Sequence, residues 1–559
     1  MQPHHQRHHA VWPQGRPWSL PRATEPIDAA LARAAAVWPE KVGLVFYDTE
    51  ITYAEMNATA DALAGHLSDV CGLRPGGRVL VQLQSTPQFV IAFHAVLKAG
   101  GIVVPVNPMY RIGELRHVVE DCDARVLFVA QDLLDGAAAL VEDGEIDHAI
   151  VVTYSDYLRE ATDLAVPDFV AAPPIPVEGA GWTTWRDAAA SGHRIEPLGV
   201  SPETDAVLPY TSGSTGRPKG CRHSHVSTIH ATRGVADWFA YAHDDVVLAV
   251  APLFHVTGLQ TSMLAPIAVG ATTILMPRWD RAAAADLIRR FGVTVWPAIP
   301  TMAVDLLALP DLDARDLASI RLMFGGGIAM PEAVAARLKE ICGISFLEGY
   351  GMTETMAPAT ANPPQAPQRQ CGGVPIFDTA IRIADPSTFA ELPVGEVGEV
   401  LISGPQVFAG YWGVSDDEAA GFVGLDDRRW FRSGDLGRID ENGYLFLVDR
   451  LKRMINVAGY KVWPAEVETA LYAHPAIREV CVIGTPDSRS GEAVKAVVVP
   501  RDAADETTAA DIVAWARSRM AAYKVPKVVE FAESLPRSGT GKIQWLELQR
   551  REKALAASP

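Results

Sequence analysis

The residues best equipped for chemistry are concentrated between Tyr210 and Gly220, in the run YTSGSTGRPKG. Four hydroxyls (Thr211, Ser212, Ser214, Thr215), three glycines, Arg217 and Lys219 share one short turn. Glycine lets a backbone approach a ligand closely, and successive free N–H groups form a concavity for anionic oxygens. Hydroxyls and cations add to it, so the composition suits phosphate. It is not a Walker A loop: Pro218 stands where the glycine before the lysine belongs, and Gly220 follows where Ser or Thr is required. Taken alone, a flexible surface linker has the same composition.

Three further stretches bear on that reading. The run from Tyr350 to Thr355 (YGMTET) sets Thr353 and a carboxylate, Glu354, after a tight glycine turn. A carboxylate near a phosphate cradle suits Mg2+, which takes one or two protein oxygens and the rest from nucleotide and water. In Trp430–Gly437 (WFRSGDLG), Asp435 follows a glycine, a place from which it can accept both hydroxyls of a ribose. The run DRLKRMINVAGYK concentrates Arg450, Lys452, Arg453 and Lys461. Each also has a plain explanation: a helix cap, a turn aspartate, a solvated charge run.

The elements that must position these groups alternate. Thr52 and Glu55 form a capping box that opens an amphipathic helix through Leu63 and Leu67. The strand from Arg78, the helix from Pro87, the strand from Gly101, the helix from Glu114 and the strand from Arg125 follow. That rhythm predicts βαβ units and a parallel sheet with both faces covered. Residues 154 to 200 are rich in Pro and Gly and read as a surface excursion. Buried strands are expected from Asp245, Ala271, Val293 and Ile320, the last ending in Gly325–Gly327. Short β segments begin at Ile381. The last hundred or so residues read as a compact unit: a helix from Pro464, strands from Glu479 and Ala493, a helix near Ala509, and the glycine-punctuated PRSGTGK ending at Lys542.

Bulk properties bound the function. The chain has 559 residues, enough for several domains, and is 48% hydrophobic and 21% charged. A net charge of −18 argues against a general nucleic-acid binder, whose affinity rests on basic surface. Six cysteines without a CxxC pair suit reduced thiols rather than a disulfide or zinc framework. The first residues carry four histidines and no apolar signal core, so a flexible N-terminal tail over 1–26 is expected. No apolar run reaches the roughly 20 residues of a membrane span. A cytoplasmic enzyme is expected, with peripheral membrane contact at most.

In this order the motifs are no longer independent. YTSGSTGRPKG, APLFHVTGL (251–259), FGGG, YGMTE, the GD of SGDLG, DRLK, GYKVWPAEVE and PRSGTGK together resemble the adenylate-forming superfamily of acyl-CoA synthetases, firefly luciferases and nonribosomal peptide adenylation domains. The likeness runs from about residue 27 to 550. It implies an α/β fold: a large N-terminal AMP-binding domain (27–451) of parallel and mixed sheets flanked by helices plus a β-rich segment, and a small mobile α+β C-terminal domain (452–559) hinged at Lys452.

The resemblance also implies roles. Thr211, Ser212, Gly213, Ser214, Thr215, Gly216 and Lys219 hold the ATP phosphates. Glu354 binds Mg2+, while Thr353, Tyr350 and the surrounding Gly326, Glu348 and Gly349 face the AMP moiety. Asp435 and Arg450 hold the ribose, and Lys542 reaches the α-phosphate and the acid. His255 stands between the acyl tunnel and the phosphates, and Lys461 lies on the face used for thioester formation. Asn456 and Ala458 stand where plant ligases of the family carry lysines, which leaves the CoA contacts there open.

The implied partners are a carboxylic acid, ATP and coenzyme A, with Mg2+ as cofactor; a homodimer is an allowed assembly. The acid is expected to be a medium- to long-chain fatty acid, because Val256–Leu259, Phe324–Gly327 and Met352 offer small or apolar surface and no cation for a second carboxylate. An aryl or cinnamate-type acid, an adenylation enzyme loading a carrier protein, and a nucleotide-binding module without turnover are the alternatives.

Overall fold

The computed structural model describes residues 4–557, except 194, 196–197, 212–217, 311, 328–329, 459, 488, 503–506 and 538–542. The chain forms two compact units. The first comprises Met1–Ala380, Ile402–Phe431 and Asn442–Tyr444; the second comprises Ile381–Leu401, Arg432–Glu441 and Leu445–Pro559. Lys452 therefore has both of its chain neighbours in the second unit. Among the described residues no helix is long and apolar enough to cross a membrane.

Two sheets organise the first unit. The seven-stranded sheet runs Trp182–Thr184, His148–Val152, Val126–Ala130, Arg78–Gln82, Ile102–Pro105, Asp205–Val207, His223–Ser224. Its pairings are parallel except the last. The nine-stranded sheet is parallel from Val42–Phe46 through to Phe346–Tyr350, with antiparallel strands at both edges. Strands such as Val126–Ala130 are buried at every position, as their unbroken apolar sequence requires when helices cover both faces. Thr52 caps the helix Tyr53–Asp69 as expected, its Oγ1 accepting from the Glu55 N–H at 3.2 Å.

Two sequence expectations are corrected. The excursion after residue 154 is not all surface. Trp182–Thr184 adds a parallel edge strand to His148–Val152, and Tyr154 and Trp185 are buried in the core. Its Pro- and Gly-rich composition conceals a few large aromatic anchors. The N-terminal stretch is likewise held down. Trp12 is buried, edge-on to Trp238 (5.0 Å) and Phe377 (5.4 Å). Its carbonyl accepts from Gln365 Nε2 at 2.9 Å, and the Leu20 N–H donates to Asp378 at 2.9 Å. The polar histidines concealed the tryptophan, whose indole buries a large apolar area.

The second unit builds a sheet in the order Tyr460–Val462, Ile455–Val457, Gly491–Pro500, Ile477–Asp487, with Val528–Phe531 pairing in parallel to Gly491–Pro500. Helices Pro464–Tyr472, Ala509–Arg517 and Trp545–Ala557 accompany it. Its core gathers Val467, Leu471, Val480, Val482, Val494 and Ile512.

The helix Pro87–Lys98 is buried from Pro87 to Leu97, which encloses His94 completely; neither ring nitrogen has a partner. Burial, assisted by nearby Lys98, lowers its pKa to about 3. The unfolded imidazole titrates near 6.5, so the unfolded chain takes up protons that the folded one refuses. Stability that is intact above pH 6.5 is therefore lost as pH falls toward 3. His94→Leu removes this penalty and the orphaned nitrogens. At pH 5 it should stabilise the protein against urea by about 2 kcal/mol more than at pH 7.5; an equal gain at both pH values would refute the assignment.

Candidate active site

The phosphate-loop candidate rises from a closed neck. Tyr210 and Gly220 form an antiparallel bridge, the Thr211 N–H donates to the Lys219 carbonyl at 3.0 Å, and His117 Nε2 lies 3.0 Å from the Pro218 carbonyl. Ser212, Gly213, Ser214, Thr215 and Gly216 lie outside the described residues, as does Lys542; the side chain of Lys461 does too. Beyond the neck the chain pairs with a distant segment. The Trp412 N–H donates to the Gly220 carbonyl (2.8 Å), Arg222 to Gly410 (3.0 Å), and Ala409 to Arg222 (2.8 Å).

That pairing brings in Glu354. The strand Phe346–Tyr350 ends in a single 3-10 turn, Thr353–Thr355, whose entry is fixed by the Met352 N–H donating to Thr355 Oγ1 at 3.0 Å. Tyr411 donates its hydroxyl to Glu354 Oε1 at 2.7 Å, and the Phe408 N–H donates to the Glu354 carbonyl at 2.8 Å. His223 Nε2 meets the Thr353 carbonyl at 2.8 Å. Because a carbonyl only accepts, that nitrogen carries a proton. Burial, partly offset by this hydrogen bond, takes its pKa down to about 4. Lys219 Nζ sits 4.8 Å from the centre of the Tyr411 ring, within cation–π range. Between them Cys221 is fully enclosed; burial and then Glu354 push its thiol up, while Lys219 opposes them. Lys219, Thr353 and Glu354 are thus brought together, through Tyr411 and His223.

The residues around the Tyr350 strand are set by crowding. A Cβ on Gly325 would fall 1.9 Å from the Ala298 carbonyl oxygen, and one on Gly326 2.4 Å from that of Gly349. These glycines answer to backbone contact with neighbouring strands, a demand separate from any pocket. Glu348 is buried and its carboxylate accepts from the Met330 (2.9 Å) and Gln370 (2.6 Å) N–H groups. Burial raises its pKa against those donors. It braces two loops, while Tyr350 beside it is also buried.

His255 caps a short helix, its Nδ1 accepting from the Thr257 N–H at 3.4 Å. The loop before it is tied to the other sheet by the Leu253 N–H donating to Ser85 Oγ at 3.1 Å. Gly258 is obligatory, since a Cβ there would meet the Pro252 carbonyl oxygen at 2.3 Å. A π-helical turn, Leu259–Leu264, follows, a form that recurs at functional sites. Val256 and Leu259 are buried in the main core, and Phe324 stacks on Phe239 at 4.0 Å.

In the second unit, Asp435 and Arg450 face each other in antiparallel register, with Asp435 Oδ1 2.6 Å from Arg450 Nε. Ser433 Oγ accepts from the Asp435 N–H at 3.0 Å and donates to the Val400 carbonyl at 2.7 Å. Lys452 is exposed, but its neighbours are held. Asp449 Oδ2 accepts from the Ala465 N–H at 2.7 Å, and Arg453 lies between Asp449 (3.7 Å) and Glu468.

Sequence reasoning did not find His223, Phe408, Tyr411 or Ser85. The GY pair at 410–411 beside a long β segment was the available signal, but nothing in it points 57 residues back to Glu354.

Comparison with known proteins accords with this geometry. The family described as AMP-binding enzyme matches residues 31–412, and its C-terminal domain matches 466–542. A long-chain-fatty-acid–CoA ligase of Bacillus subtilis (strain 168) is 34% identical over 548 residues, spanning 96% of each chain. A feruloyl-CoA synthase of an Amycolatopsis species is 36% identical over 529 residues, spanning 93% of this chain and 97% of its own. The crystal structure of the anthranilate CoA ligase AuaEII with anthranoyl-AMP superposes with a TM-score of 0.83 at 28% identity, spanning 96% of this chain and 99% of that one. With its phosphate-loop neck tied to the Thr353–Glu354 turn and both family regions present, this chain belongs to the adenylate-forming AMP-binding enzymes and, within them, to the acyl-CoA ligases, which are acid–thiol ligases.

Proposed function

We propose that the chain joins a medium- to long-chain fatty acid to coenzyme A in two half-reactions in the cytoplasm. A carboxylate resists a thiol because its leaving group would be oxide. Attack of its oxygen on the ATP α-phosphorus breaks the bond to pyrophosphate and yields an acyl-adenylate, whose leaving group, AMP, is good. The CoA thiol then attacks the carbonyl, AMP departs and the thiol proton is released. The observation that supports this reading best is the tie between Tyr210–Arg222 and Thr353–Glu354, made by Tyr411 and by His223 across 130 residues of sequence.

The roles proposed are those that the family resemblance implies. The loop amides, hydroxyls and Lys219 hold the departing pyrophosphate. Glu354, a hard oxygen ligand beside a phosphate cradle, fits Mg2+, which when bound neutralises charge on the phosphates. Thr353, Tyr350 and the glycines around them hold AMP, and Asp435 with Arg450 holds the ribose. Lys542 supplies a fixed positive charge to the α-phosphate and acid in the first half-reaction. A rotation of the domain 452–559 about Lys452 removes Lys542 and presents the Lys461 face for the second. His255 separates the acyl tunnel from the phosphates. The second reading, an aryl or cinnamate-type acid, is favoured by the 36% identity to a feruloyl-CoA synthase.

Two measurements test this. Scored by AMP release over acetate to palmitate, benzoates and cinnamates, turnover should be greatest with the medium- and long-chain fatty acids. Neighbouring lengths should differ by no more than about 10- to 200-fold, because an apolar pocket discriminates one methylene by roughly 1–3 kcal/mol; a maximum on ferulate would transfer the assignment to aryl acids. Separately, Lys542→Ala should depress acid-dependent ATP–pyrophosphate exchange by about 100- to 1,000-fold, the size of one oriented donor lost from a transition state. Thioester formation from pre-made acyl-adenylate should be nearly unchanged; equal losses in both halves would rule out the role given to Lys542.

A further inference from the structure

Tyr411 bears at once on the carboxylate and the ammonium that the nucleotide site needs. Its hydroxyl donates to Glu354 Oε1 at 2.7 Å, and its ring lies 4.8 Å from Lys219 Nζ. The side chain is itself fixed. Its backbone bridges Cys221, and its ring meets Phe408 at 4.9 Å nearly edge-on. Phe408 in turn donates its N–H to the Glu354 carbonyl. Behind them Cys221, Phe408, Phe422 and Phe431 form an apolar cluster on which Met352 and Tyr411 rest. A carboxylate on a short turn can rotate about its last bonds. A rigid donor on one of its oxygens selects one rotation, and such outer partners tune metal affinity through the ligand they hold.

We propose that Tyr411 is a positioning residue: its hydroxyl orients Glu354 for the divalent cation, and its ring steadies Lys219 for the phosphates. The proposal rests on the reading of Glu354 as the metal ligand. It makes the sequence-distant segment 408–412 part of the nucleotide site, although no atom of Tyr411 need touch the reacting groups.

The two functions separate by substitution. Tyr411→Phe keeps the ring and removes only the hydroxyl; Tyr411→Leu removes both. The probe is Mn2+ binding in the presence of a non-cleavable α,β-methylene ATP analogue, followed by the paramagnetic signal of the free ion. Tyr411→Phe should weaken Mn2+ binding by about tenfold or more, within the range seen when an outer partner of a metal ligand is lost. Affinity for the analogue without metal should stay unchanged. Tyr411→Leu should in addition weaken the analogue itself. Thioester formation from pre-made acyl-adenylate, which needs neither metal nor Lys219, should be retained by both variants and shows that they fold. If Glu354→Gln loses Mn2+ while Tyr411→Phe binds it as the unaltered protein does, the role of Tyr411 is overturned and the metal assignment stands. If Glu354→Gln binds Mn2+ normally, the metal assignment fails and this proposal fails with it.

Discussion

The three hydrogen bonds that pair Gly220 and Arg222 with Ala409, Gly410 and Trp412 are the contact on which the rest of the candidate site depends. The two ends of the stretch 212–217 are each held by backbone contacts of their own. One end is the neck at Tyr210 and Gly220; the other is this antiparallel pairing, which also delivers Tyr411 to Glu354 and Phe408 to the same turn. Without it, only His223 would join this segment to the turn that carries the carboxylate.

Burial shapes the electrostatics around that pairing. In a chain of net charge −18, an anion must be met by local groups against the overall field. The histidines packed beside the site are kept out of that role. His223 and His225 have pKa values lowered to about 4 by burial, so they are neutral over the physiological range. They serve as hydrogen-bonding struts: His223 to Thr353, and His225 Nδ1 to the Ile27 N–H at 3.1 Å. Positive charge is left to lysines and arginines such as Lys219 and Arg222.

How much of this could be read from the sequence divides along a physical line. The phosphate loop, the Glu354 turn and the Asp435 strand announce themselves because their residue types have few other uses in combination. Helices and strands of the first unit were legible from apolar periodicity and from caps such as Thr52. What could not be read depends on pairings between distant segments. Glu348, expected near the AMP moiety, also accepts from the N–H groups of Met330 and Gln370, a bracing contact that no local feature marked. The glycines at 325 and 326 suggested an open pocket, and the structure gives them a backbone to avoid. Trp12 lay in a stretch whose histidines dominated its composition. Tyr411 was marked only by the GY pair it belongs to, which says nothing of partners 57 residues away in Glu354 and nearly two hundred in Lys219.

The contacts flanking Lys452 have a consequence for the proposed hinge. Asp449, on one side of that residue, accepts from Ala465 and faces Arg453 on the other. Any turn of the backbone at Lys452 must part these groups and hydrate them. The charge-assisted bond from Ala465 is worth roughly 1.5–3 kcal/mol, so a turned state would begin at a disadvantage of about tenfold or more. On the proposed turn at Lys452, ligands would have to outbid these contacts through their different affinities for the two states. Asp449 would thereby weight the balance between the two arrangements that the proposed hinge implies, although it lies apart from the groups assigned to the chemistry.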